Sequence, residues 1–232
     1  MPVGTEEQTP RRQFPVVTVT LVVLNSLVFL IEMLVLYSGG EAALNDFMMT
    51  FGVVPNEISN GHSLYTLLTS MFVHGGLSHI AFNMVYLLAF GDNVEERLGR
   101  GRYLTFYLLS GLGAALAQTA VDPASEIPSV GASGAIAGIL SGYVLLFPKG
   151  VVRMFLFLGP LTRITRVPAV IYIGIWFITQ FFNGVGSLGV ATAETGGVAY
   201  WAHIGGFVAG LVLAWFYRVF ERGAREMSGP GS

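Results

Sequence analysis

The sequence predicts an all-α membrane protein whose core is a bundle of six transmembrane helices. Of its 232 residues, 53% are hydrophobic and 11% are charged, whereas charged residues make up about 25% of an average soluble domain. A spanning helix needs roughly 20 mostly apolar residues, and six segments approach that pattern. They lie at about 14–37, 77–90, 103–121, 131–147, 167–183 and 200–220.

The basic residues orient these helices. All 12 Lys and Arg residues fall in the N-terminal tail, after the second or fourth helix, or at the end of the sixth. The connections near 38–76, 122–130 and 184–199 contain none. Because positively charged residues accumulate in cytoplasmic segments, both chain termini are predicted to lie inside.

The segments around the helices complete the predicted organisation. Residues 1–13 and 224–232 are expected to be frayed cytoplasmic tails that flank a membrane domain at 14–223. The outer loop at about 38–76 is too polar to span and too apolar for water, so it is expected to lie partly helical in the outer interface. Prolines bracket the apolar stretch 151–160, which favours an interfacial loop over a seventh span.

Composition excludes several kinds of function. A net charge of −2 gives no indication of a nucleic-acid partner. The chain has no cysteine, which excludes disulfides, thiolate catalysis and Cys-ligated metals. No H-E-x-x-H occurs and no acid adjoins His79 or His203, so neither a metal nor a cofactor is predicted. An aspartic mechanism needs paired Asp residues in helices, and only Asp92 comes close.

Two polar residues are predicted to lie at the same depth near the outer side. Ser133 opens the fourth helix within Gly131-Ala-Ser-Gly134, where unpaired helix N–H groups favour negative charge. His203 begins the sixth helix, and Gly206 and Gly210 on its face allow another helix to approach closely. Since histidine is the commonest base for a serine nucleophile, a Ser–His dyad is predicted. The alternatives are a small-residue packing motif and a structural interhelical hydrogen bond.

Three further polar side chains lie within the predicted helices. His79 and Asn83 are spaced i, i+4 and therefore project from one face of the second helix. Their hydrogen-bond donors could stabilise an oxyanion together with the backbone N–H of Ser133. The alternative is a polar clamp between helices. Glu32, near the outer end of the first helix, is expected to be an interfacial carboxylate.

Four motifs together resemble the rhomboid family of intramembrane serine proteases in order and spacing, over nearly the whole chain beyond the N-terminal tail. The motifs are His74-Gly-Gly-Leu-Ser-His-Ile-Ala-Phe-Asn83, Val94-Glu-Glu-Arg-Leu-Gly99, Gly131-Ala-Ser-Gly134 and Ala202-His-Ile-Gly-Gly-Phe-Val-Ala-Gly210. The resemblance implies that Ser133 is the nucleophile, that His203 is the general base, and that His79 and Asn83 line the oxyanion hole. It further implies cleavage of transmembrane protein substrates through an acyl-enzyme, in a membrane-lipid environment.

The resemblance also assigns a structural role and exposes one departure. Glu95 and Arg97 match the family's E-x-R element, which is structural. Some relatives place a tyrosine four residues after the nucleophile, where it stacks on the catalytic histidine; here that position is Ala137. Another group must therefore support the ring of His203. The implied location is a prokaryotic cell membrane, which the chain crosses several times, with the active site opening outward.

Two other functions compete with proteolysis. A non-catalytic relative that binds membrane clients would share the fold, but here both Ser133 and His203 are retained. A small transporter or channel with a proton-relaying histidine would need a polar path across the membrane. The polar residues instead cluster near one side, and the inner halves of the helices are apolar.

Overall fold

The computed structural model describes residues 2–6, 13–158, 161–188 and 198–227, with the backbone alone at 3, 156–158, 161–162 and 222–227. A 3-10 turn, Ser70–Phe72, precedes the helix Leu77–Tyr86, and a π-helical turn, Leu87–Gly91, joins that helix to the helix Asp92–Leu98. Nine α-helices and three strands are present in this part of the chain. They are β1 Pro2–Glu6, α1 Val16–Phe51, α2 Pro55–Ser59, α3 Thr66–Thr69, α4 Leu77–Tyr86, α5 Asp92–Leu98, α6 Arg100–Val121, α7 Ser133–Leu146, β2 Val151–Leu158, β3 Leu161–Pro168, α8 Ala169–Gly186 and α9 Tyr200–Met227.

Four of the described helices, α1, α6, α8 and α9, are long and apolar enough to cross a membrane. A fifth span results if Thr66–Phe72 and Leu77–Leu98 are taken together, although they are bent by 93°. Large apolar side chains on the outside of α1, α8 and α9 are exposed, as the lipid-facing surface of a membrane protein requires. The chain is therefore a mainly helical integral membrane protein. The count of six spans, in which α7 would be the sixth, stays a prediction.

Small residues bring α6, α7 and α9 together. A Cβ added to Gly206 of α9 would lie 2.8 Å from the carbonyl carbon of Gly134 in α7. One turn further along α9, a Cβ at Gly210 would lie 2.5 Å from the Cα of Gly138. Gly205 faces α6 in the same way, with its added Cβ 2.9 Å from the carbonyl oxygen of Gly113. Glycine thus allows backbone-to-backbone packing on two faces of α9, which places the N-terminus of α7 beside that of α9.

The E-x-R element of α5 connects this helix to α1 and α9, at the end of the bundle opposite the N-termini of α7 and α9. Glu95 is buried and accepts hydrogen bonds from the backbone N–H groups of Val17 and Thr18, at 2.9 and 2.8 Å, and from the Thr18 hydroxyl at 2.8 Å. The carboxylate therefore pairs N–H groups that the first turn of α1 leaves free. Arg97 forms a bidentate ion pair with Glu221 of α9, with Nη1 2.7 Å from Oε1. These contacts support the structural role that was predicted for both residues.

A small antiparallel sheet, in the order β1-β2-β3, lies where the sequence suggested tails and loops. The apolar stretch after α7 is strand β2 of a hairpin and does not span. Residues 1–13 were expected to be frayed. This expectation is wrong for Pro2–Glu6, because β1 pairs with the free edge of β2. Thr5 also fixes this strand, since its hydroxyl donates to the carbonyl of Ala89 at 3.3 Å and accepts from Asn93 at 2.7 Å.

The outer connection is partly helical, as expected. Helix α1 continues to Phe51 across a break at Gly40, whose φ of 71° favours glycine. The expectation for Glu32 is wrong: its side chain is fully buried, and it accepts a 3.0 Å hydrogen bond from the backbone N–H of His74. Val53 forms an isolated β-bridge with Ser129, so the outer connection also holds the segment that leads into α7.

Several predicted features fall partly outside the described residues. Residues 7–12, with Arg11 and Arg12, lie outside them, and so do Pro160, most of the third outer connection at 189–197, and residues 228–232. Helix α9 continues to Met227 and so extends into the predicted C-terminal tail. The domain boundaries therefore stay predictions.

Candidate active site

Ser133 is the first residue of α7, and the chain reaches it through a turn that only glycine readily adopts. Gly131 has a φ of 124°, and its N–H donates to the carbonyl of Ser70 at 2.9 Å. Helix α7 is 14 residues long, or about 21 Å at 1.5 Å per residue, which is shorter than the roughly 30 Å hydrocarbon core. Ser133 lies at the end of this short helix, where the first N–H groups have no partner within the helix.

His203 lies in the first turn of α9, directly beside Ser133. Its Nε2 is 2.8 Å from the Ser133 Oγ, which is hydrogen-bonding distance. The contact between the two side chains that the sequence predicted is therefore present. Gln118 of α6 supports this end of α9, since its Oε1 accepts from the backbone N–H of Ala202 at 3.2 Å.

Two residues of α8, which the sequence analysis missed, hold the other side of the His203 ring. The Oε1 of Gln180 lies 2.7 Å from His203 Nδ1. The ring of Trp176 lies 5.8 Å from the imidazole, centroid to centroid, at an interplanar angle of 41°. They provide the support that Ala137, fully buried in α7, does not give. An uncharged amide within an apolar segment was the available signal, but Gln180 has no ionisable residue one turn away on its helix, as Asn83 has in His79.

His79 is held by its own loop and faces the backbone next to Ser133. The N–H of Gly75 donates to His79 Nδ1 at 3.3 Å. In a neutral imidazole this leaves Nε2 protonated and able to donate. A Cβ added to Gly131 would lie 2.7 Å from His79 Nε2 and 3.6 Å from Ser133 Oγ. The space that glycine leaves open here therefore borders both the nucleophile and the His79 donor.

Asn83 lies one turn further along α4 and is also buried. Its Nδ2 donates to the carbonyl of His79 at 3.0 Å. An amide nitrogen carries two hydrogens, so one donor remains for a second partner. The predicted shared face of His79 and Asn83 is turned toward Ser133 and not toward lipid.

The side chains of His79, Asn83, Ser133, Trp176 and His203 line one cavity of about 630 Å³, and Gln180 lies behind the imidazole outside its lining. His79 and Asn83 enter from α4, Ser133 from α7, Trp176 from α8 and His203 from α9. The segment 127–130 and residues 198–199 also contribute to the described part of its wall. Within the described residues, no group of three or more His, Cys, Asp or Glu side chains could hold a metal ion. The site is thus suited to acid–base and nucleophilic chemistry by a Ser–His pair.

The fold and site define a class of protein: a helical integral membrane protein with a hydrogen-bonded Ser–His pair beside a cavity within its bundle. Comparison with known sequences gives the family, because the sequence model of the Rhomboid domain matches residues 61–220. This chain belongs to the rhomboid family.

Curated relatives agree with this assignment. Rhomboid protease GluP of Bacillus subtilis (strain 168) is 30% identical over 86% of this chain and 34% of its own length. RHOMBOID-like protein 5 of Arabidopsis thaliana is 27% identical over 70% of this chain and 47% of its own. Mitochondrial Rhomboid protein 1 of Saccharomyces cerevisiae is 26% identical over 66% of this chain and 42% of its own length. The chain spans between a third and a half of these relatives.

Proposed function

We propose that this chain is an intramembrane serine endopeptidase that cleaves transmembrane protein substrates by means of a Ser133–His203 dyad. The observation that carries the proposal is the 2.8 Å hydrogen bond between Ser133 Oγ and His203 Nε2, at a cavity inside an apolar helical bundle. Membership of the rhomboid family and the proteases among its relatives support the same activity.

The reaction proceeds through an acyl-enzyme. His203 Nε2 accepts the hydroxyl proton as Ser133 Oγ forms a bond to the scissile carbonyl carbon. The C–N bond then breaks, and the proton passes from Nε2 to the departing amine. Water attacks the ester carbon and gives a proton to His203 Nε2. The C–Oγ bond then breaks, and Nε2 returns the proton to Ser133 Oγ, which releases the new carboxyl terminus and restores the dyad. In each half of the reaction Nε2 acts first as a base and then as an acid. Its 2.8 Å distance to Ser133 Oγ is suitable for both roles.

The oxyanion develops in the space beside Gly131. The His79 Nε2–H borders this region, the Asn83 amide lines the same cavity, and the backbone N–H of Ser133 belongs to the helix N-terminus. Donors held in place before the reaction stabilise a developing oxyanion without reorganisation, and each typically contributes about 2.7–4 kcal/mol.

The proposed topology has six spans, with both termini inside and the cavity open to the outer side of a prokaryotic cell membrane. The described Arg97, Arg100 and Arg102 lie at the end of the bundle opposite Ser133, as the positive-inside rule requires for this orientation. A substrate helix would have to unwind near the outer leaflet, because only an extended segment exposes its peptide carbonyl to Ser133.

The test is cleavage of a generic single-pass transmembrane substrate by the purified protein in liposomes. Ser133→Ala and His203→Ala should each abolish cleavage, and a fluorophosphonate should label the wild type but not Ser133→Ala. Ser141→Ala is a matched control, because this buried hydroxyl of α7 only donates to the carbonyl of Gly138 at 2.9 Å. Cleavage retained in Ser133→Ala would show that the nucleophile is wrong.

A further inference from the structure

The Nδ1 side of His203 meets an amide and not a carboxylate. Gln180 Oε1 is 2.7 Å from Nδ1, and Ser133 Oγ is 2.8 Å from Nε2, so the ring is held at both nitrogens. We propose that Gln180 is a positioning residue that selects the His203 tautomer able to deprotonate Ser133. The inference rests on the proposed function and adds a third member to the predicted dyad.

The tautomer is selected because a neutral imidazole has one N–H donor and one nitrogen acceptor. When Nδ1–H donates to Gln180 Oε1, the lone pair of Nε2 faces the Ser133 hydroxyl, and the serine can lose its proton. When the amide is reversed, its NH₂ donates to Nδ1, and Nε2–H then points at Ser133. The second arrangement pairs both ring nitrogens equally well, but it leaves Ser133 without a base.

Neighbouring groups favour the productive arrangement. Thr179 Oγ1 lies 3.5 Å from Gln180 Nε2 and accepts from it, which keeps Oε1 on the side of the ring. The main chain of α8 is also fixed against α9 one turn to either side. Trp201 Nε1 donates to the carbonyl of Gly184 at 3.1 Å, and the rings of Phe177 and Phe207 stack with centroids 4.2 Å apart.

An amide suits this place because a buried charge in a membrane domain is costly. Oε1 accepts the Nδ1 proton without adding a charge that must itself be paired. The amide therefore supplies orientation, as the carboxylate of a Ser–His–Asp triad does, but gives the imidazolium less electrostatic stabilisation. Substituting glutamate, which has the same shape, separates these two effects.

The experiment compares Gln180→Leu, Gln180→Glu and the control Asn183→Leu in purified protein. Asn183 is an exposed amide on the same helix, and it is not among the residues that line the cavity. Gln180→Leu should lower kcat about 10²-fold, the usual effect of a small misplacement of a catalytic group, with KM little changed. Asn183→Leu should behave as the wild type.

Gln180→Glu keeps the acceptor, so it should retain far more activity than Gln180→Leu. Its carboxylate stabilises the imidazolium, so His203 loses its free base at a higher pH. The acid limb of kcat/KM should therefore move upward by about one pH unit or more. Among the described residues, His79 also acts electrostatically on His203, and it is common to all variants. Nitrogen-15 NMR of labelled histidine should show His203 protonated on Nδ1 in the wild type.

The outcomes separate the two proposals. Wild-type protein without Ser133-dependent cleavage would overturn the proposed function itself. Cleavage by the wild type, with unchanged kcat in Gln180→Leu, would overturn the positioning role alone, and so would an Nε2-protonated ring in the resting enzyme. If Gln180→Leu fails to fold, the pH profile of Gln180→Glu decides, and an acid limb identical to that of the wild type refutes the role.

Discussion

Replacing Gly206 with alanine should abolish the proposed cleavage activity before it unfolds the protein. Gly206 lies three residues after His203, and Gly134 directly follows Ser133, so this glycine contact is a backbone contact close to the Ser–His pair. A Cβ at Gly206 would lie 2.8 Å from the Gly134 carbonyl carbon and closer still to its oxygen. Neither partner is a flexible side chain, so the main chains of α7 and α9 must move apart.

The size of the movement can be worked out from these contacts. Carbon atoms pack at about 3.5–4.0 Å, so α9 must move by roughly 0.7–1.2 Å at this point. If His203 moves with its helix, its 2.8 Å bond to Ser133 stretches beyond the normal limit of about 3.2 Å. A displacement of this size typically costs about 10² in rate. Overpacking typically costs about 1–3 kcal/mol of stability, which a bundle of this size can tolerate.

The assay measures cleavage rate and thermal unfolding in the same detergent. Gly174→Ala is the control, because nothing lies within 4 Å of its added Cβ on α8. Gly210→Ala is a second comparison: its Cβ would lie 2.5 Å from Gly138 Cα and from Ser141 Oγ, two turns away from His203. It should lose similar stability but less activity. Full activity in Gly206→Ala, or activity lost only in step with unfolding, would refute the reasoning.

Three other predictions test the remaining parts of the site and fold. Combining Ser133→Ala with His203→Ala should cost no more activity than either alone, because nucleophile and base act as a unit; additive losses in cleavage rate would contradict this. Asn83→Ala and His79→Ala should each lower kcat by about 10²–10³ with KM little changed, whereas a pure KM effect would assign them to substrate binding. Glu95→Ala should lower the free energy of unfolding by about 1–3 kcal/mol, because it leaves N–H groups of α1 unpaired. Its kcat per folded molecule should be unchanged, and a lower kcat with unchanged melting temperature would refute the structural role.

The sequence was sufficient for the Ser–His contact because its determinants lie within single helices. Ser133 and His203 each stand at the start of a helix, and the glycines spaced along the same face of α9 predict how closely the partner helix can approach. The i, i+4 spacing of His79 and Asn83 likewise predicts a shared face. Each of these patterns depends on the helical period alone, so no knowledge of distant contacts was needed.

The parts that could not be predicted depend on which elements meet. Glu32 looks interfacial along the chain, but the loop before α4 folds over it, and the backbone of His74 provides its hydrogen-bond donor. Strand β1 forms because β2 has a free edge, and no local pattern in residues 2–6 predicts that pairing.

Gln180 shows the same limit at the site itself. An amide in an apolar helix is equally compatible with lipid-facing, packing and functional positions until α8 is placed against α9. Once the helices are placed, its acceptor lies on Nδ1 and its donor faces Thr179, so the orientation of one amide determines which nitrogen of His203 carries the proton. The nucleophile and base can thus be found from helical spacing, whereas the protonation state that makes them reactive depends on a contact between helices that the spacing does not encode.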